Sequence, residues 1–272
     1  MNGIDCATKL NFTTASNLKS AGIDAVGRYL GNSWKGLTTD EVKVIHEAKL
    51  GLFLIYETNP TYAGYFSYDK GISDVQSAIA KAEALDAPNG ICIYFTVDYD
   101  AQPGDMGAIQ EYFRGVRDGL SGKYLVGAYG SYQVMEALSG SPYPPDKYFQ
   151  TYAWSRGQEF SAHIYQWSND ITIRGVVVDQ DAITGDAGLW EVKKMFENLV
   201  VYGDNDDGAA KLLAWKLGAL LAHIDTVKPE HYDCAKNVYM VGGTTKPIER
   251  AILVSGGPGT GRIETMQAVL NL

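Results

Sequence analysis

Five apolar runs separated by helix-length segments, followed by three runs with almost nothing between them, limit this chain more than any other feature. The first five are "GID" (3–5), "AVGRYL" (25–30), "LFLIYE" (52–57), "ICIYFTVD" (91–98) and "LVGAYGS" (125–131). Between them lie "TASNLKSAG", "TTDEVKVIHEAKLG", "ISDVQSAIAKAEALDA" and "GDMGAIQEYFRGVRDGL". Thr38 with Glu41 forms a capping-box signature, and Gly51 stands where a helix would stop. Strand then helix, repeated, predicts a parallel sheet with crossover helices. The pattern then changes. "KYFQTYAW" (147–154), "AHIYQWS" (162–168) and "GVVVDQDAI" (175–183) are strand-like, and no helix fits into "SRGQEFS" or "NDITIR". The expected fold class is α/β: an irregular TIM-like barrel, (β/α)5 followed by three nearly helix-free strands.

A fresh βα pattern follows "GLWEVKKM". "NLVVYG" (198–203) leads into "DDGAAKLLAWKLGALLA", and "NVYMVGG" and "AILVSGG" precede a closing helix, "RIETMQAVLNL". This predicts a small α/β domain with a parallel sheet of three or so strands. The expected domains are 1–194 and 195–272. The acidity belongs to the first, with 16 basic and 23 acidic residues against 7 and 9 in the second. A net charge of −9 without a basic stretch argues against nucleic acid as a partner. No apolar run approaches a membrane span, and "MNGIDCATKL" lacks the basic-then-apolar pattern of an export signal. Cys6, Cys92 and Cys234 form no CxxC pair and are expected to be buried free thiols.

In parallel barrels the working face lies at the carboxyl ends of the strands. Acidic residues collect there: Asp5 after the first run, Glu57 the third, Asp98 and Asp100 the fourth, Asp179 and Asp181 the eighth. The first and eighth strands of a closed barrel are neighbours, so Asp5 and Asp179 are expected to approach each other. Asp98 and Asp100, two positions apart, are expected to point the same way. A single aspartate after a strand is ordinarily a turn or cap residue; six at equivalent ends suggest a site. Such a cluster suits either an oxygen-ligated metal or glycoside hydrolysis. Crowded like charges raise proton affinity, as an acid catalyst requires. Aromatic residues favour the second chemistry, because Tyr29, Tyr56, Tyr94, Tyr129, Trp154 and Trp167 fall near the same ends. Their faces suit sugar rings, with core packing the alternative for each. Arg28, Asn59 and Gln166 could bind hydroxyl and acetamido groups, and Asp181 completes the expected binding set.

These residues come in motifs. "GIDCAT", "VGRYLG", "KGLTTDEV", "IYETN", "YFTVDYDAQ", "GAYGSY", "TYAWS", "HIYQWSND" and "VDQDA" together resemble a bacterial glycoside hydrolase-like barrel family formerly filed as a domain of unknown function. That family is similar to the phage-type muramidases of glycoside hydrolase family 25. The resemblance spans residues 1 to about 190. It implies a glycosidase without metal or other cofactor, with Asp5, Asp98 and Asp179 on the muramidase acid positions and Gln166 in a similar strand motif. One departure matters. The pair reads D-x-D where muramidases carry D-x-E, so Asp100 stands in the general-acid position with a side chain about 1.5 Å shorter. Asp100 is the preferred acid, and Glu57 the alternative. Asp98 would stabilise the oxocarbenium-like state or orient the acetamido group, with Asp5 and Asp179 tuning charge.

The tail, through "ENLVVYGDNDDGAA", "KNVYMVGG" and "RIETMQAVL", resembles the cell-wall-binding domain of endolysins from clostridial phages. Together the resemblances imply a modular endolysin that cuts peptidoglycan glycan and waits in the host cytoplasm for a holin. The alternatives are a wall-binding protein whose barrel has lost catalysis, and a glycosidase for another wall polysaccharide. The resemblance further implies a homo-oligomer formed through the tail. The codons for Trp190, Glu191 and Val192 can spell a ribosome-binding sequence just upstream of Met195, an expected internal start that would release 195–272. "SGGPGTGRIET" (255–265) is read as a Gly-rich turn opening a helix, because Arg262 and Ile263 replace the Lys and hydroxyl of a phosphate loop. The four histidines, at 46, 163, 223 and 231, lack metal-ligand spacing.

Overall fold

Eight strands close in sequence order into a barrel: β1 (Asn2–Asp5), β2 (Ala25–Tyr29), β3 (Gly51–Tyr56), β4 (Cys92–Thr96), β5 (Leu125–Gly130), β6 (Lys147–Thr151), β7 (Ile164–Ile173) and β8 (Val176–Ile183). The first five are each followed by a helix: α1 (Phe12–Ser20), α2 (Thr39–Glu47), α3 (Tyr68–Ala84), α4 (Met106–Leu120) and α5 (Tyr132–Ser139). The computed structural model describes residues 1–31, 34–191, 196–257 and 261–272, with Glu230 by its backbone alone. The chain divides into two compact units, Met1–Val192 and Lys193–Leu272. Met195, the expected internal start, lies outside the described residues.

β1 to β7 pair in parallel, whereas β8 is antiparallel to both its neighbours, β7 and β1. A tight turn at Arg174 and Gly175, with φ of 50° and 85°, takes the place of a crossover. Asp179 and Asp181 therefore do not end a strand. The chain descends through β8, which sets Asp179 opposite Asp5 at the rim and Asp181 opposite Gly3, deeper in the barrel.

Large rings fill the barrel. Phe53, Tyr94 and Phe149 pack edge-on with centroids 5.7–6.3 Å apart. Gly27 and Gly127 make room for them, since a Cβ at either would fall within 2.5 Å of Phe53 or Tyr94. Below the rings, Trp190 exchanges backbone hydrogen bonds with Leu52, and Ala187 and Leu189 close the floor. Two smaller expectations also change. The Thr38 hydroxyl caps α2, but the Glu41 carboxylate turns to Arg28 and the Leu10 amide rather than back to the cap. The left-handed residue after α2 is Lys49 (φ 63°), and Gly51 opens β3.

The second unit is a four-stranded parallel sheet of β9 (Phe196–Tyr202), β10 (Leu220–His223), β11 (Ala235–Val241) and β12 (Ile252–Val254), in the order β10-β9-β11-β12. It carries α6 (Asp207–Leu217), α7 (Pro229–Asp233) and α8 (Arg262–Leu270). The sequence reading gave three or so strands because "KLGALLA" continued a helical pattern. Gly218, left-handed at φ 57°, ends α6 there and frees Leu220–His223 to form β10. Val200 and Val241 pack under α6 and α8, while Leu199, Val201 and Val238 face Tyr232 of α7, so both sheet faces are covered. Within this unit the His223 ring lies 2.9 Å from Asp204, and Asp225 joins them. Both carboxylates are exposed, so the group is a surface cluster.

Candidate active site

At the rim of the barrel, Asp5 closes β1 with its carboxylate buried. One oxygen accepts from the Tyr29 hydroxyl at 2.9 Å, the other from Gln166 Nε2 at 2.9 Å. The same nitrogen reaches Asp179 at 3.2 Å. The orientation of the amide follows from its other end, where Gln166 Oε1 accepts from the Thr151 and Tyr129 hydroxyls at 2.7 and 3.1 Å. A β-bulge in β7 places Asp170 at φ 52°, where its amide donates to Asp179 at 2.8 Å. Strand pairing thus brings Asp5 and Asp179 face to face, and a fixed polar network sets their orientation.

Asp5, Tyr29, Tyr129, Gln166 and Asp179 line a cavity of about 240 Å³ together with Glu57, Asp98, Thr96 and Lys35. Glu57 follows β3 and pairs with Lys35 at 2.5 Å. The Lys35 ammonium also lies 4.0 Å from the centre of the Tyr29 ring. Asp98 is half-buried in the loop after β4, its amide donating to the Pro60 carbonyl.

Burial and like charge raise the proton affinity of the four aspartates, Asp5, Asp98, Asp179 and Asp181, above the ordinary range. Burial, the Asp179 charge and, more weakly, Glu57 push Asp5 up to about 7, against the opposing hydrogen bonds of Tyr29 and Gln166. Asp98 rises to about 6, chiefly through burial and the Glu57 charge, with Lys35 opposing. Asp179 is raised by burial, in spite of the Asp170 amide. Asp181, beneath them, is fully buried, with no hydrogen-bond partner on either oxygen among the described residues, and burial drives it well up. The result is a cluster of acids with raised proton affinity beside one ion-paired carboxylate.

The structure thus brings Asp5, Glu57, Asp98, Asp179, Tyr29, Tyr129 and Gln166 to one cavity, with Asp181 below it. Asp100, the preferred acid, stands apart. β4 ends at Thr96, so strand alternation no longer governs the loop, and the exposed Asp100 carboxylate meets Arg156 at 3.3 Å. Arg28 is buried behind the barrel wall against Glu41, with Nε 2.8 Å from its carboxylate. The Tyr56 hydroxyl points into the helix layer, where Asp74 accepts from Tyr56, Tyr65 and Tyr112. Tyr94 belongs to the ring stack, its hydroxyl donating to the Ala187 carbonyl. Asn59 is exposed and contacts Thr61, while Trp154 and Trp167 are exposed on the β6–β7 loop and on β7. Sequence reasoning missed Lys35, Thr151 and Asp170. Lys35 was legible, since it follows the second strand in "YLGNSWKG", where a cation reaches the same rim as the acids.

A family model described as the Rv2525c-like, glycoside hydrolase-like domain matches residues 16–193. The chain belongs to this family. Among curated relatives of this chain, FadG of Bacillus subtilis (strain 168) is 27% identical over 239 residues, which cover 76% of this chain and 41% of FadG. The chain spans less than half the length of the curated relatives it matches. The crystal structure of the Mycobacterium tuberculosis Tat-secreted protein Rv2525c, in complex with L-tartrate, superposes with a TM-score of 0.60 at 20% identity, covering 70% of this chain and 98% of that one. This likeness is one of fold. The CTP1L endolysin matches along 99% of this chain and 97% of its own, with a TM-score of 0.47 and 15% identity. The Rv2525c-like barrel of this chain is a glycoside hydrolase-like fold whose acid cluster occupies the rim where such barrels place their chemistry.

Proposed function

We propose that the barrel is a glycosidase of muramidase type that cleaves the glycan of the bacterial cell wall. The observation that carries this is Asp98, a half-buried acid with a raised proton affinity, lining the same sugar-sized cavity as the Lys35-paired Glu57. Asp98 protonates the glycosidic oxygen as the carbon–oxygen bond breaks. Glu57, paired with Lys35, faces the positive charge that develops at the anomeric carbon, and water completes the hydrolysis. Asp5 and Asp179, held by Gln166, tune the field and bind ring hydroxyls. This departs from the reading that gave the proton to Asp100, because the Asp100 carboxylate is exposed, meets Arg156 and does not line the cavity.

The test is incubation of the purified protein with bacterial walls, reading new reducing ends, followed by mass spectrometry of the released fragments to name the bond. A second reading has one observation in its favour: Lys35 neutralises Glu57 inside the cavity, as in a barrel that binds glycan without cutting it. In that case the protein sediments with walls and no reducing ends form. Residues 195–272 would dock the protein to the wall and associate with one another, with a second product started at Met195. Replacing the Met195 codon by a non-start codon should remove a short band from an expression gel, and its persistence would exclude the internal start.

A further inference from the structure

The acid cavity does not end at the barrel's mouth. It continues into a second hollow of about 230 Å³, and the two share Asp5, Tyr29 and Asp179. The walls of the second hollow come from three separate places: Thr8 after β1, Trp34 after β2, and Asp170 with Val177 of the β7–β8 hairpin. Trp34 is 81% exposed and Val177 51% exposed, and neither joins a hydrophobic core cluster. A large ring left in water forgoes the burial that usually stabilises it. Here it stands at the edge of the acid site, beside a hydroxyl and a carboxylate. An apolar plate with hydroxyl-binding groups at its margin matches a pyranose, which has an apolar face and a polar perimeter. The described lining carries carboxylates and no cation, so it disfavours an anionic ring.

Resting on the glycosidase reading above, we propose that this hollow is a second sugar subsite, with Trp34 as its stacking platform for an uncharged N-acetylhexosamine. The glycan then lies across the β1–β8 lip with consecutive units in the two hollows, so the barrel recognises a stretch of chain and not a single terminal sugar. Thr8 and Asp170 bind the hydroxyls of the ring that stacks on Trp34. The other subsite is the acid cavity itself.

The experiment uses the full-length Asp98→Asn protein, titrated with a β-1,4-linked N-acetylglucosamine tetramer and with the monosaccharide. Tryptophan fluorescence and calorimetry are recorded together. The tetramer is expected to bind more tightly than the monosaccharide and to change the fluorescence. Adding Trp34→Ala should weaken tetramer binding by about tenfold and remove most of the fluorescence change, and Trp34→Phe should restore most of the affinity. Because Trp34 is exposed, the thermal midpoint should hold in both variants. Unchanged tetramer affinity in Trp34→Ala, while the wild-type protein releases reducing ends from walls, would overturn the subsite and leave the glycosidase reading standing. Release from walls without any tetramer binding would likewise overturn the subsite alone. Neither release nor binding would overturn both.

Discussion

Asp5 and Asp179 lie opposite each other on the antiparallel β1–β8 pair and share one donor, the side-chain nitrogen of Gln166 at 2.9 and 3.2 Å. Two carboxyls so placed repel when ionised, and the shared donor offsets the repulsion together with the Tyr29 hydroxyl and the Asp170 amide. Replacing Gln166 by Leu removes the shared donor and leaves the Thr151 and Tyr129 hydroxyls without their acceptor. Glycan cleavage should fall by about 10²-fold, in the range seen when a preorganised donor is removed from an active site. The measurement is kcat on a soluble glycan fragment, and activity within threefold of wild type would deny the network its role.

Asp181 works against stability. Folding raises its proton affinity well above the ordinary value of 3.8, so the folded chain retains a proton that the unfolded chain releases. The folded state binds more protons above that value, and stability falls as pH rises. Asp181→Asn removes this dependence. Its thermal midpoint should match wild type near pH 4 and exceed it at pH 8, by about 2–4 °C for each kcal/mol recovered. Equal midpoints at pH 8 would show that the carboxyl carries no such cost.

Arg28 and Glu41 are fully buried together, and they also hold the loop that follows Asp5: Arg28 donates to the Cys6 carbonyl, and Glu41 accepts from the Leu10 amide at 2.8 Å. Glu41→Gln leaves the guanidinium buried without its counter-charge and should cost about 3–5 kcal/mol in urea unfolding. Arg28→Met with Glu41→Leu should cost less than the sum of the single replacements, since no lone charge remains. Additive losses would mean that the two residues act independently.

How far the sequence reaches can be read along the strands. Runs and gaps were enough for the barrel, because hydrophobic periodicity is set by burial, and burial is what closes a sheet. Alternation could also have separated the rim residues. On β2 and β3, Tyr29 and Ile55 face inward, so Arg28 and Tyr56 must face the helices, where they lie. Tyr94 faces inward, but one layer too deep. What local pattern could not supply was the direction of β8, the bulge at Asp170 and the turn after Thr96. Each is a change of chain direction set by long-range pairing. The turn after Thr96 separates Asp98 from Asp100, and with it the choice of acid.

Lys35 opposes the rise in the proton affinity of Asp98 and pairs with Glu57. Lys35→Met should therefore raise the Asp98 value above about 6 and carry the alkaline limb of the pH–rate profile upward. Turnover should fall at the same time, because Glu57 loses its partner. A limb that stays in place would show that Asp98 is not the group titrating there.

The most direct test compares Asp98→Asn with Asp100→Asn in release of reducing ends from purified walls, with thermal midpoints confirming that both fold. Asp98→Asn should lose about 10²–10⁴-fold in rate and still bind walls, while Asp100→Asn stays close to wild type. Near-normal release by Asp98→Asn, or abolition by Asp100→Asn, would contradict the account.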